Sequence, residues 1–192
     1  MTNSQALSSR PGKRERLIAS ASELLHHRGV NAPTLAEIAE AADVPPGNVY
    51  YYFKSRDDLV RAVIESHQIQ VEALFESLER RSTPPARLKA LAHSWADMDV
   101  PVAEHGCPLG TLCSELNKEG RGLDREAATL FELIIDWAEG QFREMGQRDA
   151  RELATALIAG VQGAALLANT FQDPKLMRRQ VRRLERWIDS LA

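Results

Sequence analysis

Two cysteines in 192 residues cannot form a disulfide framework, and that scarcity fits a reducing cytoplasm. There is no Ser/His/Asp order, no His/Cys cluster at metal-ligand spacing and no nucleotide loop, so neither catalysis, metal binding nor a cofactor is expected. No apolar run reaches about 18 residues, so no membrane span is expected. The leading MTNSQALSSRPGKRER lacks the apolar core of a secretory signal. Positive charge is not in excess either: the net charge is −3, and residues 1–60 hold seven Lys/Arg against seven Asp/Glu. Charge therefore neither supports nor excludes a nucleic-acid partner. A hydrophobic content of 44% with 27% charged residues excludes disorder throughout and suits one ordinary domain or two small ones.

What is present concentrates in residues 34–59, TLAEIAEAADVPPGNVYYYFKSRDDL. Thr34 and Glu37 have the spacing of a capping box. Leu35, Ile38, Ala39 and Ala42 then recur at three- and four-residue intervals, giving a short helix with one apolar face. Asp43 falls at a turn, where a short polar side chain tolerates left-handed backbone, and Val44 can pack beneath it. Pro46 suits the first position of a second helix, and Gly47 and Asn48 leave its leading end almost without bulk. Tyr50, Tyr51 and Tyr52 fan over about 200° of that helix. One of them must face inward with Val49 and Phe53, and outward phenols suit phosphate contacts. Ser55 caps a longer helix with Asp57 and Asp58 in its first turn. A helical hairpin with aromatic core residues would explain each feature singly. Their coincidence favours a helix-turn-helix.

With these residues in place, the segment from Lys13 to Leu59 resembles the DNA-binding domain of the TetR family of bacterial transcriptional regulators. Thr34, Ile38, Ala39, Val44, Tyr50, Phe53, Arg56 and Leu59 occupy that family's motif positions. Asp43 stands in place of the usual turn glycine, Pro45 in place of a Ser/Thr cap, and Arg56 in place of lysine. The resemblance implies an all-α protein of about nine helices, with an N-terminal three-helix DNA-binding domain and a C-terminal ligand-binding and dimerisation domain. It implies a homodimer formed through the last two helices, a double-stranded DNA operator, and a small-molecule effector that most often relieves repression. By motif position Pro46, Gly47 and Asn48 enter the groove, and Tyr50 touches a base edge or a phosphate. Tyr51, Tyr52, Lys54, Arg56 and Thr34 are backbone candidates. Ala36 can offer only an apolar contact to a thymine methyl.

The expected organisation is an arm at residues 1–12, a DNA-binding domain at 13–58 and a regulatory domain at 59–192. Arg10, Lys13 and Arg14 could lay the arm along the minor groove, although a silent solvated tail reads the same way. The first helix runs from Lys13 to Arg28 and stops at Gly29. A fourth helix from Ser55 to Arg80 or Arg81 is the lever that the resemblance implies. Ser82-Thr83-Pro84-Pro85 reads as a break, Ala86 to Met98 as a helix, and DVPVAEHG as irregular chain. Further helices are expected from Cys107 to about Lys118, over 124–145, over 149–171, and from Pro174 to Leu191. GCPLGTLCSEL resembles the wording of the LmrA/YxaF-like branch of the family.

An effector pocket would draw its lining from Trp95, Met98, Leu109, Leu112, Cys113, Phe131, Ile134, Trp137 and Phe142, each of which can equally be plain core. Three tryptophans suggest an apolar ligand. Cys107 at a helix start raises a redox alternative, set against two inert thiols. Small residues of the 149–171 helix, from Ala154 to Ala168, predict close helix approach. Met177, Val181, Leu184, Ile188 and Leu191 form an apolar stripe beside Arg178, Arg179, Arg182, Arg183 and Arg186. That arginine row reads as a solvated face with interface salt bridges rather than a second nucleic-acid surface.

Overall fold

The computed structural model describes residues 11–119 and 122–192, and every regular element among the described residues is a helix, with no strand. The elements are α1 (Lys13–Arg28), α2 (Leu35–Ala41), a 3-10 turn (Pro46–Asn48), α3 (Val49–Tyr52), α4 (Arg56–Glu79), α5 (Pro84–Ala96), α6 (Asp99–His105), α7 (Pro108–Glu119), α8 (Leu123–Glu144), α9 (Ala150–Phe171) and α10 (Lys175–Asp189). All nine expected helices are among them. The added one, α6, occupies the segment read as irregular: Asp99 opens it, and Gly106 at φ 82° ends it. Pro84 and Pro85 lie within the first turn of α5 rather than in a break. Thr83 accepts a hydrogen bond from the Ala86 amide, and a proline at the first helical position removes no needed donor.

Two compact units divide inside α4, between Val63 and Ile64. The N-terminal unit closes on Leu17, Ile18, Ala21 and Leu25 of α1, Ile38 and Ala39 of α2, and Val49, Phe53, Leu59 and Val60, all buried. Burying each larger aliphatic chain contributes about 1.5–3 kcal/mol. Residues 1–10, including Arg10, lie outside the described residues. Lys13 and Arg14 belong to α1 rather than to an arm, and the Arg14 guanidinium lies 5.6 Å from the Phe53 ring centre.

The C-terminal unit packs α8 against α7 and α9, α10 against α5 and α9, and α6 against α9. Phe142, Leu88, Leu130, Leu157, Met177 and Ile188 are among its fully enclosed side chains. A Cβ on Gly160 would stand 3.1 Å from Gln180 Nε2 and 3.3 Å from Leu184, so α9 and α10 do approach closely there. Asp99, buried, accepts from the Arg178 guanidinium and ties α6 to α10.

Although no uninterrupted apolar run reaches about 18 residues, α9 is long and apolar enough to cross a membrane by length and composition alone, with mean hydropathy 1.4. Its polar residues are uncharged after Glu152, so hydropathy stays high although Thr155, Gln162 and Asn169 interrupt the apolar run. Within the chain only 39% of that stretch is buried. Leu166, Leu167 and Phe171 stand exposed on it.

Candidate nucleic-acid interface and effector cavity

The helix-turn-helix is built from local hydrogen bonds. Thr34 Oγ1 accepts from the Glu37 amide at 3.2 Å, while the Glu37 carboxylate accepts from the Thr34 amide at 2.7 Å and hydroxyl at 2.8 Å. Those bonds, with Arg28 at 2.9 Å, hold the Glu37 carboxyl down at about 2. Both Thr34 donors are therefore taken, and a carboxylate already fills the positive end of α2. In the chain by itself the Thr34 side chain serves this cap.

At the other end of α2, the Asp43 amide donates to Glu40 O and the Val44 amide to Ala39 O, with Asp43 at φ 50°. This is the hydrogen-bond pattern of a Schellman turn, with aspartate at the position glycine usually takes. Val44 is buried beneath it. Pro45 caps nothing with its side chain; the Asn48 amide instead donates to Pro45 O at 2.8 Å, making a 3-10 turn that leads into four residues of α3. The second helix is thus shorter than a typical recognition helix, and α2 packs against its leading turn.

Around that turn the expected contact residues divide into two groups. Ala36, Pro46, Gly47, Tyr50, Tyr51 and Lys54 are exposed, and Asn48 is partly so. Tyr50 and Tyr51 stand 61% and 75% open to solvent. Tyr52 turns partly inward and meets Tyr51 edge-on at 5.0 Å, so it is the inward member of the fan. Lys54 Nζ rests on Tyr50 O at 3.0 Å. Arg56 makes contacts within the chain. Its guanidinium is half-buried and donates to the carbonyls of Val30 and Pro33, binding the α1–α2 connection to the start of α4. Ser55 caps α4 by accepting from the Asp58 amide at 3.1 Å.

In the C-terminal unit a cavity of about 160 Å³ lies among α4, α5, the start of α7 and α8. Trp95, Met98, Leu109 and Ile134 line it as expected. Five expected residues do not. Leu112 and Phe142 are core, Phe131 is half-buried, and Cys113 donates its thiol to Ala127 O at 3.2 Å. Trp137 stacks flat on Phe75 at 4.8 Å and donates to Glu79 at 3.2 Å, which takes its ring out of the lining. Sequence reasoning missed the α4 wall, His67, Gln70, Val71 and Leu74, together with Leu91, Ser94, Cys107 and Pro108. The spacing 67, 70, 71, 74 is one face of a helix and was the available signal.

The Cys107 sulfur accepts from the Gly110 amide and the Gln162 side chain, both at 3.5 Å, so it caps α7 from a buried position. Burial, and secondarily Cys107, pushes the Cys113 thiol up to about 11, which disfavours its reactive thiolate. No group of three or more His, Cys, Asp or Glu is placed to hold a metal ion among the described residues.

A groove of about 440 Å³ runs between α9 and α10, floored by Ala159, Gly160, Gly163 and Ala164 and edged by Leu167, Leu176, Arg179, Gln180, Arg183 and Arg186.

Comparison with known proteins agrees with this geometry. Residues 17–63 match the bacterial regulatory proteins of the tetR family, and residues 84–183 match the C-terminal domain of LmrA/YxaF-like transcriptional regulators. The transcriptional regulator AcuR of Cereibacter sphaeroides is 30% identical over 79% of this chain and 74% of its own length. The transcriptional repressor DhaR of Mycobacterium sp. strain GP1 is 28% identical over 80% of each. A TetR transcriptional regulator from Legionella pneumophila shares the fold at TM-score 0.83 and 24% identity, over 95% of this chain and 98% of its own. With its head matched by one half of the family pattern and most of its body by the other, the chain belongs to the TetR family of bacterial transcriptional regulators, in the LmrA/YxaF-like branch.

Proposed function

We propose that the chain is a cytoplasmic homodimeric repressor that leaves a palindromic operator when a small apolar effector fills its body. In this reading residues 13–58 bind DNA and residues 59–192 bind the effector and the second subunit. The observation that carries DNA binding is the exposure of Tyr50 and Tyr51 beside the small-residue turn Pro46–Asn48. Aromatic rings so open to water contribute little to the fold, whereas a phenol on a rigid arm can donate to phosphate oxygen. Lys54 beside them supplies charge for the same backbone. Two such heads related by a dimer axis would meet half-sites about 34–36 Å apart.

The cavity supports an effector of about one ring in size. Its 160 Å³ is close to the roughly 150 Å³ apolar cavity known to accept benzene. Val71, Leu74, Leu91, Trp95 and Ile134 supply apolar wall, and Gln70 and Ser94 supply a few polar groups to orient the guest. α4 carries both Leu59 of the head core and Leu74 of the cavity wall, which makes it the element an effector would bias. Linkage then requires effector and operator to weaken each other by one factor. For the dimer, α9 and α10 offer an apolar, glycine-floored groove edged by arginines, a surface suited to a second protein helix rather than to lipid.

The test is selection of bound fragments from genomic DNA, followed by affinity for the recovered site across a salt series. One palindrome, with affinity falling steeply with salt and further on adding neutral single-ring compounds, is the expected result. Uniform binding to all fragments would overturn the reading.

A further inference from the structure

Residue 47, in the middle of the 3-10 turn, is a glycine that the fold itself does not require. Gly47 has no positive φ, and a Cβ built on it meets nothing within 4 Å. Neither backbone conformation nor internal packing needs a glycine there, and any small residue would suit the fold. What a side chain would obstruct lies outside the chain. The next residue, Asn48, is partly exposed, and its amide makes no cap hydrogen bond to α3. Its donor and its acceptor remain available one residue from the bare backbone.

Equally informative is where the cations are. Bidentate reading of a guanine edge requires an arginine or lysine, whereas asparagine matches the N6 donor and N7 acceptor of adenine. From Pro46 to Phe53 there is no cation. Of those nearby, Arg56 lies on two carbonyls, Arg28 on Glu37 and Arg14 over the Phe53 ring, while Lys54, held on Tyr50 O, sits beside the tyrosines for the phosphates rather than under the turn.

Resting on the operator reading above, we infer that the base pair beneath the Pro46–Asn48 turn is A·T, its adenine held by the Asn48 amide and its thymine methyl seated against the Gly47 backbone. The adenine N6 amine donates to the Asn48 side-chain oxygen, and the Asn48 side-chain NH₂ donates to adenine N7. Gly47 admits the methyl because nothing projects from it.

The experiment is selection from a random duplex pool by the full chain, followed by affinity for the recovered site with single atoms replaced. One half-site position should be fixed as A·T. Placing 7-deazaadenine there should weaken the wild-type chain about tenfold, in line with the discrimination of one good bidentate pair. The same replacement should leave Asn48→Ala unaffected, since that variant has already lost the contact. Gly47→Ala should keep the wild-type melting temperature and lose affinity, and uracil in place of that thymine should restore part of it. A pool with no enriched site overturns the operator reading and this inference together. An enriched site that is G·C throughout its fixed positions, or one indifferent to 7-deazaadenine at every adenine, overturns the inference alone.

Discussion

Arg16 donates from Nη2 to the main-chain carbonyl of Asp43 at 2.8 Å, and from Nε to the neighbouring Ala42 carbonyl at 2.9 Å. A side chain of α1 thus fastens the turn on which the helix-turn-helix angle depends. Asp43 sits at φ 50°, a conformation that strains ordinary side chains but that aspartate tolerates. Replacing Asp43 with Gly should change stability by no more than about 1 kcal/mol, because the eased backbone offsets the extra freedom of the unfolded chain. Asp43→Val should cost about 1–2 kcal/mol for a branched side chain in left-handed backbone. Arg16→Ala, which removes both bonds to the turn and a third from Nη1 to Pro11 O at 3.3 Å, should also cost about 1–2 kcal/mol. Urea unfolding of the three variants checks the order.

The cap of α2 gives a pH dependence with a definite sign. Glu37 titrates near 2 in the fold against an ordinary value of 4.5, chiefly because the Thr34 amide and hydroxyl donate to its ionised form. A depressed carboxyl stabilises the fold above its unfolded value. That contribution is lost as pH falls from 4.5 towards 2. Glu37→Gln should flatten the decline of stability through this window while leaving the neutral-pH fold intact. Thermal unfolding of both proteins between neutral pH and pH 2 measures it. A wild-type curve parallel to that of Glu37→Gln would show that the cap does not titrate as described.

Local rules made the head readable in advance, and tertiary geometry limited the body. The Thr34–Glu37 box, the turn at Asp43 and the Ser55 cap each follow from side chains within a few residues of the backbone they serve. Arg56 broke the pattern because its partners, Val30 and Pro33, lie more than twenty residues away. In the body, helix positions were legible but the contents of the cavity were not. Phe142 and Trp137 lie on the same helix as Ile134, yet only Ile134 faces the void. Trp137 is claimed by Phe75 and Glu79, which periodicity in one helix cannot reveal. Reading α4 as a lever assigns its residues no face towards the cavity, yet Val71 and Leu74 line it. α6 was missed because Pro101 within Asp99–His105 reads as a breaker, although it falls in the first turn, where no amide is needed.

Ile134 is the residue through which the cavity can be resized with least disturbance elsewhere. It is 2% exposed and borders the void on one side. Ile134→Ala should destabilise the body by about 2–5 kcal/mol, towards the lower end because some contacts are already absent. The enlarged space should admit two-ring compounds that the wild-type chain refuses. Ile134→Phe should exclude single-ring compounds while leaving operator affinity unchanged. Calorimetric titration with benzene-sized and naphthalene-sized ligands distinguishes these outcomes. Equal affinities in all three proteins would place the effector elsewhere.

The exposed apolar side of α9 supplies the remaining prediction. Leu166, Leu167 and Phe171 are 67%, 48% and 66% exposed, and an apolar face of this kind suits a partner surface. Leu167 also edges the groove floored by Gly160 and Gly163. Gly163 has nothing within 4 Å of a would-be Cβ, so that part of the groove is open to an entering side chain. A carboxylate at position 167 would stand at the edge of the groove, and its desolvation on association would be unfavourable. Leu167→Asp should therefore shift the protein from dimer to monomer in light scattering at micromolar concentration, with helicity unchanged by circular dichroism. Operator affinity should fall with it, because a monomer engages one half-site and loses the gain of a linked second contact. If Leu167→Asp stays dimeric while a substitution on the α5 surface dissociates the protein, the α9–α10 groove is not the subunit interface and some other guest covers it.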